Sequence, residues 1–267
     1  MAGTTSADGT LISYDRTGTG PALILVLGAF NDRGAGAALA ERLSSDFTVY
    51  NYDRRGRGRS GDAPGSGVDQ EIDDLSALLA EAGGNALVFG YSSGAVLALR
   101  AAARGLPITR LAVYDPPFLV NGSTPAYWTA LADRIDALVA DDRRGDAVEL
   151  YQTRGVGMPE EVVVQLRGAP FRPALEAMAH TLAYDARALA SPADLPATVS
   201  IPTLVLHGVD GPPVLSGATQ AVAQALPNGE YLGLVGQTHD LVPEVLGPVL
   251  CDFYGGALTA GQRGRLT

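Results

Sequence analysis

The chain has 267 residues, 46% of them hydrophobic and 18% charged, a balance that builds a large folded core and excludes a disordered chain. Its 19 basic and 29 acidic residues leave a net charge of −10, and every basic residue other than histidine is an arginine. So acidic a chain makes a poor nucleic-acid binder, and no nucleic-acid partner is expected.

Residues 1–10 are polar and lack the apolar stretch of a signal peptide, and the longest apolar run, 22–27, is far too short to cross a bilayer. The expectation is a cytoplasmic protein with no membrane partner. Residues 11–15 alternate and precede a Gly/Thr turn, which predicts an antiparallel strand. The continuous apolar run 22–27 predicts a strand buried on both faces, with Gly28-Ala29-Phe30-Asn31 as the loop at its carboxyl end. A helix over 36–43 and a strand over 47–52 follow, the latter running into Asp53-Arg54-Arg55-Gly56-Arg57-Gly58-Arg59-Ser60. Residues 68–82 place Ile72, Leu75, Leu78 and Leu79 on one helical face. A short strand over 86–90 then turns directly into an Ala/Leu-rich helix through residue 104. The strand over 110–114 is stopped by Asp115-Pro116-Pro117.

Here the alternation breaks. Residues 118–198 are helical in pattern, starting with Ser123 or Thr124 as a cap before Pro125 and a stripe of Trp128, Leu131, Ile135 and Leu138. Further helices are predicted over 144–153, 160–166 and 173–189. Alternation returns with a strand over 203–207, a helix over 218–226, a strand over 230–235 and a last helix over 241–254. The single cysteine, Cys251, lies in that helix as a small core residue and excludes an internal disulfide and a cysteine-built metal cluster. The layout predicts an α/β fold with a mostly parallel, doubly wound sheet: a core of residues 1–117 and 199–258, a helical cap over 118–198, and a frayed tail over 259–267. In such a sheet, function sits at the carboxyl ends of the strands.

The stretch with chemistry written into it is Gly90-Tyr91-Ser92-Ser93-Gly94, between a strand and a helix. A serine on so sharp a turn lifts its hydroxyl above the sheet edge, and the helix start offers free N–H groups, Ser93 first, to a developing oxyanion. A hydroxyl needs a base to become a nucleophile at neutral pH. Three histidines exist: His180 in the helical insertion, His207 at a strand end where a structural role is expected, and His239 after a late strand. His239 follows the serine in chain order and is the expected base.

With these pieces in order, the chain resembles the α/β-hydrolase superfamily over almost its whole length, in the branch with a serine nucleophile and a helical cap. The resemblance rests on Gly90-Tyr91-Ser92-Ser93-Gly94, the Asp53-to-Ser60 stretch, Leu204-Val205-Leu206-His207-Gly208 and Gly236-Gln237-Thr238-His239. It implies Ser92 as nucleophile, His239 as general base, and an oxyanion hole from the backbone N–H groups of Ala29 and Ser93. It also implies that the arginines of the Asp53-to-Ser60 turn are solvated or paired rather than catalytic. Leu27-Gly28 stands where the family usually has His-Gly, which a hole built from backbone donors tolerates. The triad acid has two candidates. Asp210 follows the penultimate strand, but the turn His207-Gly208-Val209-Asp210-Gly211 is one residue shorter than the commoner pattern. Asp115 ends the strand after the nucleophile and is the preferred one.

The implied chemistry is an acyl-serine formed from a small ester, lactone or thioester, with esterase or thioesterase activity. An acyltransferase of secondary metabolism would use the same residues, and a binding protein with an idle triad is the remaining alternative. Relatives that are epoxide hydrolases or haloalkane dehalogenases carry Asp at the Ser92 position, which argues against those activities. No metal or organic cofactor is implied, and the partner is a small-molecule acyl substrate, free or carrier-bound. The substrate-contacting candidates are Phe30, Tyr91, Phe118 and Trp128, with Tyr127, Tyr151, Met158, Phe171, Met178 and Tyr184 as further candidates for the wall of a pocket under the cap.

Overall fold

Strand β3 (Ala22–Val26) turns Leu23 and Leu25 to one face and Ile24 and Val26 to the other, and all four are fully buried. A strand that is apolar on both faces belongs inside a sheet covered by helices on both sides, which is where a computed structural model puts it. The structure describes residues 2–118 and 123–256. The other strands are β1 (Ala2–Thr5), β2 (Leu11–Thr17), β4 (Thr48–Tyr52), β5 (Ala86–Tyr91), β6 (Ile108–Tyr114), β7 (Thr203–Gly208) and β8 (Gly229–Leu234). They form one sheet in the order β1-β2-β4-β3-β5-β6-β7-β8, in which β2 alone runs antiparallel to both its neighbours. The chain moves outward from β3 to β4 on one side and then returns to lay β5 on the other. This reversal opens a crevice at the carboxyl ends of β3 and β5, the usual binding position in open α/β sheets.

Helices α1 (Ala37–Leu43) and α10 (Pro243–Gly255) cover the face to which Leu23 and Leu25 point. The opposite face is covered by α2 (Val68–Glu81), α3 (Ser93–Ala103) and α9 (Pro213–Ala225). Gly90 is needed for the tight join of β5 to α3: a Cβ there would stand 2.6 Å from the Cα of Ala95.

Between β6 and β7 the chain forms α4 (Pro125–Ala140), α5 (Arg144–Leu150), a π-helical turn (Tyr151–Val156), α6 (Glu160–Gln165), α7 (Arg172–Ala177) and α8 (Thr181–Leu189). Thr124 caps α4, its side chain accepting from the Tyr127 N–H. Helix α8 packs against both α4 and α3, so the insertion shares one continuous core with the sheet.

Three expectations differ locally from this structure. Strand β1 was not anticipated, because Ala2-Gly3-Thr4-Thr5 is polar and largely exposed and has no alternation to read; it is held by its ladder to β2. The helix expected over 173–189 is broken at residues 178–180, where the Thr181 hydroxyl, fully buried, donates to the Met178 carbonyl at 2.8 Å. No glycine or proline marks that break. The segment expected to end near Thr153 continues through the π-helical turn to Val156, ended by Gly157 with φ +82°. The frayed tail expected over 259–267 lies outside the described residues.

Candidate active site

Among the described residues, four that are not glycine have positive φ: Phe30, Ser92, Asp115 and Asp142. Such conformations are costly for L-residues and collect where a side chain must be aimed. The first three stand at the carboxyl ends of β3, β5 and β6. Ser92 has φ 55° and ψ −127°, the sharp turn expected between β5 and α3, and its N–H donates to the Tyr114 carbonyl at 2.9 Å. Gly28 leaves room for it, since a Cβ there would lie 2.8 Å from the Ser92 Cβ.

Asp115, fully buried, receives both remaining site histidines. Its Oδ2 lies 3.0 Å from His239 Nδ1, and its Oδ1 lies 2.7 Å from His207 Nδ1 and 3.3 Å from the Gly208 N–H. With Nδ1 taken by the carboxylate, the Nε2 of His239 is left for other partners. Asp210 stands differently. It is exposed, and its tie to the His239 loop is a backbone N–H donated to the Gln237 carbonyl at 2.9 Å. His180 Nε2 lies 3.3 Å from Asp62 Oδ2.

The loop that carries His239 is clamped from the strand ends. The Tyr91 hydroxyl donates to the His239 carbonyl at 2.7 Å, the Tyr114 hydroxyl donates to the Thr238 carbonyl, and the rings of Tyr91 and His239 are 4.9 Å apart. Burial, with Asp240 and Asp115 adding to it, pushes the Tyr91 hydroxyl well above the ordinary 10.0 of tyrosine. Burial and Asp115 do the same for Tyr114. Both phenols therefore stay protonated and remain donors.

One expected donor is already used. The Ala29 N–H donates to Ser93 Oγ at 2.8 Å, which corrects its assignment to an open oxyanion hole. The cause is Asp185, a fully buried residue of α8, which accepts from the Ser93 hydroxyl at 2.8 Å and leaves the Ser93 oxygen facing Ala29. The next amide, that of Phe30, and the Ser93 N–H at the start of α3 have no hydrogen-bond partner among the described residues.

Of the two expectations for the arginine turn, solvated or paired, the structure shows pairing for Arg54, Arg55 and Arg57. Arg54, Arg55 and Arg57 are all buried. Arg54 reaches Asp185 at 2.7 Å and Glu71 at 2.7 Å, Arg57 reaches Asp185 at 2.6 Å and the Gly28 carbonyl at 2.6 Å, and Arg55 bonds Asp74 at 2.6 Å. Burial raises the pKa of Asp185, but the charges of Arg54 and Arg57 outweigh it and hold the carboxyl below the ordinary 3.8.

Ser92 and His239 line one cavity of about 780 Å³. Its walls include Phe30 and Tyr91 from the core, Tyr127, Trp128, Tyr151 and Met158 from the insertion, and Pro212, Val214 and Leu215 from the start of α9. Four expected wall residues are absent from it. Phe118 is buried in the core, which corrects its placement as a substrate contact; its N–H closes a tight turn onto the Pro116 carbonyl at 2.8 Å. Phe171 is half exposed. Tyr184 donates to Asp62 at 2.9 Å, and Met178 ends α7. Asn31, from the loop expected at the carboxyl end of β3, lines the cavity too; Gln152 and Arg154 line it without having been anticipated, because polar residues in a helical insertion carry no sign of which way they face.

The family model described as the alpha/beta hydrolase family matches residues 23–245. An alpha/beta hydrolase from Sphaerobacter thermophilus has a similar structure, with a TM-score of 0.85 and 48% sequence identity over 95% of this chain and 100% of that one. A thermophilic esterase from Thermogutta terrifontis shares the fold, with a TM-score of 0.75 and 24% identity over 97% of this chain and 99% of that one. The N-formylmaleamate deformylase of Pseudomonas putida is 41% identical over 141 residues, 51% of this chain and 52% of that one, so the match spans about half the length of this curated relative. No helix among the described residues is long and apolar enough to cross a membrane. Matched by the family model from β3 to the start of α10, and over nearly its whole length by a solved hydrolase of the same fold, the chain belongs to the alpha/beta hydrolase family.

Proposed function

We propose that the protein is a serine hydrolase that forms an acyl-serine at Ser92 from a small ester, lactone or related acyl compound and transfers the acyl group to water. The observation that carries this reading is the strained Ser92 sharing one cavity with His239, whose Nδ1 is bonded to buried Asp115 at 3.0 Å. Ser92 Oγ attacks the acyl carbon while its proton passes to His239 Nε2. Asp115 holds the imidazole in the tautomer that can accept this proton and stabilises the imidazolium. The proton then goes to the leaving oxygen or nitrogen as its bond to the acyl carbon breaks. Water attacks the acyl-serine next, gives a proton to His239, and releases the acid as Ser92 Oγ regains a proton. The N–H groups of Ser93 and Phe30, free of partners among the described residues, are the donors for the tetrahedral oxyanion. His207 acts as a positioning residue that fixes the second oxygen of Asp115. The deformylase name of one relative supports acyl transfer to water as the reaction class.

The test is intact-mass analysis after exposure to a fluorophosphonate. One equivalent should add to the wild type and none to Ser92→Ala, with the far-ultraviolet circular dichroism of the two superimposable. Labelling that persists in Ser92→Ala would overturn the assignment.

A further inference from the structure

Two polar residues of the cavity wall, both on one turn, keep groups that the wall's own hydrogen bonds leave unmet. The Trp128 indole N–H is spent on Ser123 Oγ at 2.9 Å, and the Tyr127 hydroxyl on the Arg154 carbonyl at 2.6 Å. Gln152 is in the opposite condition. It is 4% exposed, lines the cavity, and its Oε1 is buried with no hydrogen-bond partner. An amide oxygen buried in this way is costly, and native proteins normally satisfy it. Arg154, two residues on, lines the same cavity, is exposed, and has no carboxylate partner among the described residues. The other arginines of the insertion that form ion pairs do so with neighbouring acids, as Arg143 does with Asp146 and Arg167 with Glu149. Among the described residues, Arg154 is the one arginine that lines the cavity, and no Asp or Glu lines it. In a chain of net charge −10, a cavity whose wall carries an unpaired guanidinium and no carboxylate is built to accept an anion. Both residues sit on the π-helical turn Tyr151–Val156, a conformation rare in helices and concentrated at functional positions.

We propose that Gln152 and Arg154 form the substrate-recognition site of this cavity, and that they select small acyl compounds carrying a free carboxylate and an amide N–H or hydroxyl. Arg154 takes the carboxylate through charge-assisted hydrogen bonds, and Gln152 Oε1 accepts from the substrate's N–H or O–H. This deepens the serine-hydrolase reading, since it treats the cavity as the acyl-binding site, but its test requires no turnover. Glutaramate (a carboxylate with a terminal amide), pentanoate and pentanamide are titrated calorimetrically into Ser92→Ala. Glutaramate should bind at least about 10-fold more tightly than pentanamide, because charge-assisted hydrogen bonds to a guanidinium contribute on that scale. Arg154→Gln in the same background should weaken glutaramate and pentanoate about 10-fold, and should abolish the loss of affinity between about 0.05 and 0.5 M salt. Arg167→Gln, which removes an equal charge elsewhere on the insertion, should leave all three affinities as they were. Gln152→Leu should erase the preference for glutaramate over pentanoate, and Gln152→Glu, of nearly the same shape, should repel both carboxylates. The proposal is overturned if pentanamide binds as well as glutaramate, if none of the three binds, or if Arg154→Gln shifts the carboxylates by less than about 2-fold. Failure of the serine reading would show separately, as absence of fluorophosphonate labelling, whatever these affinities are.

Discussion

The hydroxyl of Ser93 stands between Asp185 and the backbone of Ala29, donating to the first at 2.8 Å and accepting from the second at 2.8 Å. A residue of the inserted helix α8 is thereby wired to the loop after β3, one residue from Phe30 and next to the proposed nucleophile. Ser93→Ala should remove the acceptor for Ala29 while leaving the ion pairs of Asp185 intact. The expected result is a stability loss of about 1–2 kcal/mol, but a fall in kcat of about 10-fold or more with KM little changed. Ser93→Thr, which keeps the hydroxyl, should recover part of that loss. If activity falls only as far as the folded fraction does, Ser93 is a packing residue and does not position the loop.

Removing Asp185 would leave buried Arg57 with no carboxylate partner among the described residues and buried Arg54 with Glu71 alone. Asp185→Ala should destabilise the protein by about 3–5 kcal/mol and lower Tm on the order of 10 °C, because the charges of Arg54 and Arg57 lose their shared partner. A change within about 0.5 kcal/mol, the range of ordinary surface substitutions, would show that the pair of contacts contributes nothing net.

The same carboxylate makes a statement about acid stability. Its pKa in the folded protein is held below the ordinary 3.8, so its contribution is fully present above the unfolded value and is lost as the pH falls through the folded one. The stability difference between wild type and Asp185→Asn, from urea unfolding, should therefore be large at neutral pH and shrink below about pH 4. An equal difference at pH values on both sides of that point would mean that Asp185 is not ionised in the fold.

Asp115 and Asp210 can be separated by kinetics. Asp115→Asn should cost on the order of 10⁴ in kcat with the fold intact, since an amide at this position favours the wrong tautomer of His239. Asp210→Asn, at an exposed position, should change kcat by less than about 3-fold. The reverse pattern would return the acid to the turn after β7.

Trp128 and Phe171 were both candidates for the pocket wall, and they now predict different outcomes. Trp128 is 1% exposed and lines the cavity, whereas Phe171 is 50% exposed and does not. Trp128→Ala should alter the ranking of kcat/KM across acyl chain lengths, and Phe171→Ala should lower no substrate selectively. A uniform fall across all chain lengths in Trp128→Ala would make its indole a core group only.

What the sequence by itself determined is whatever depends on neighbours along the chain. The strand–turn–helix around Ser92 was legible because Gly90 and Gly94 bracket a serine between an apolar run and an Ala/Leu-rich one, and backbone sterics act over a few residues. The doubly wound layout was legible because strands buried on both faces, such as β3, leave continuous apolar runs, and the insertion because its runs repeat at helical spacing. Tertiary structure decided everything that requires two distant segments to meet within about 3 Å. That Asp115 faces both His207 and His239 follows from β6, β7 and β8 lying side by side in the sheet, a neighbour relation that no local pattern encodes. That Ala29 spends its N–H on Ser93, and that Arg54 and Arg57 of a polar turn are buried and paired, follows from Asp185 arriving on α8, well over a hundred residues after Ala29 and those arginines. A lone acid on an apolar helix has no periodicity, and its role exists only once the chain has closed around the charges it neutralises.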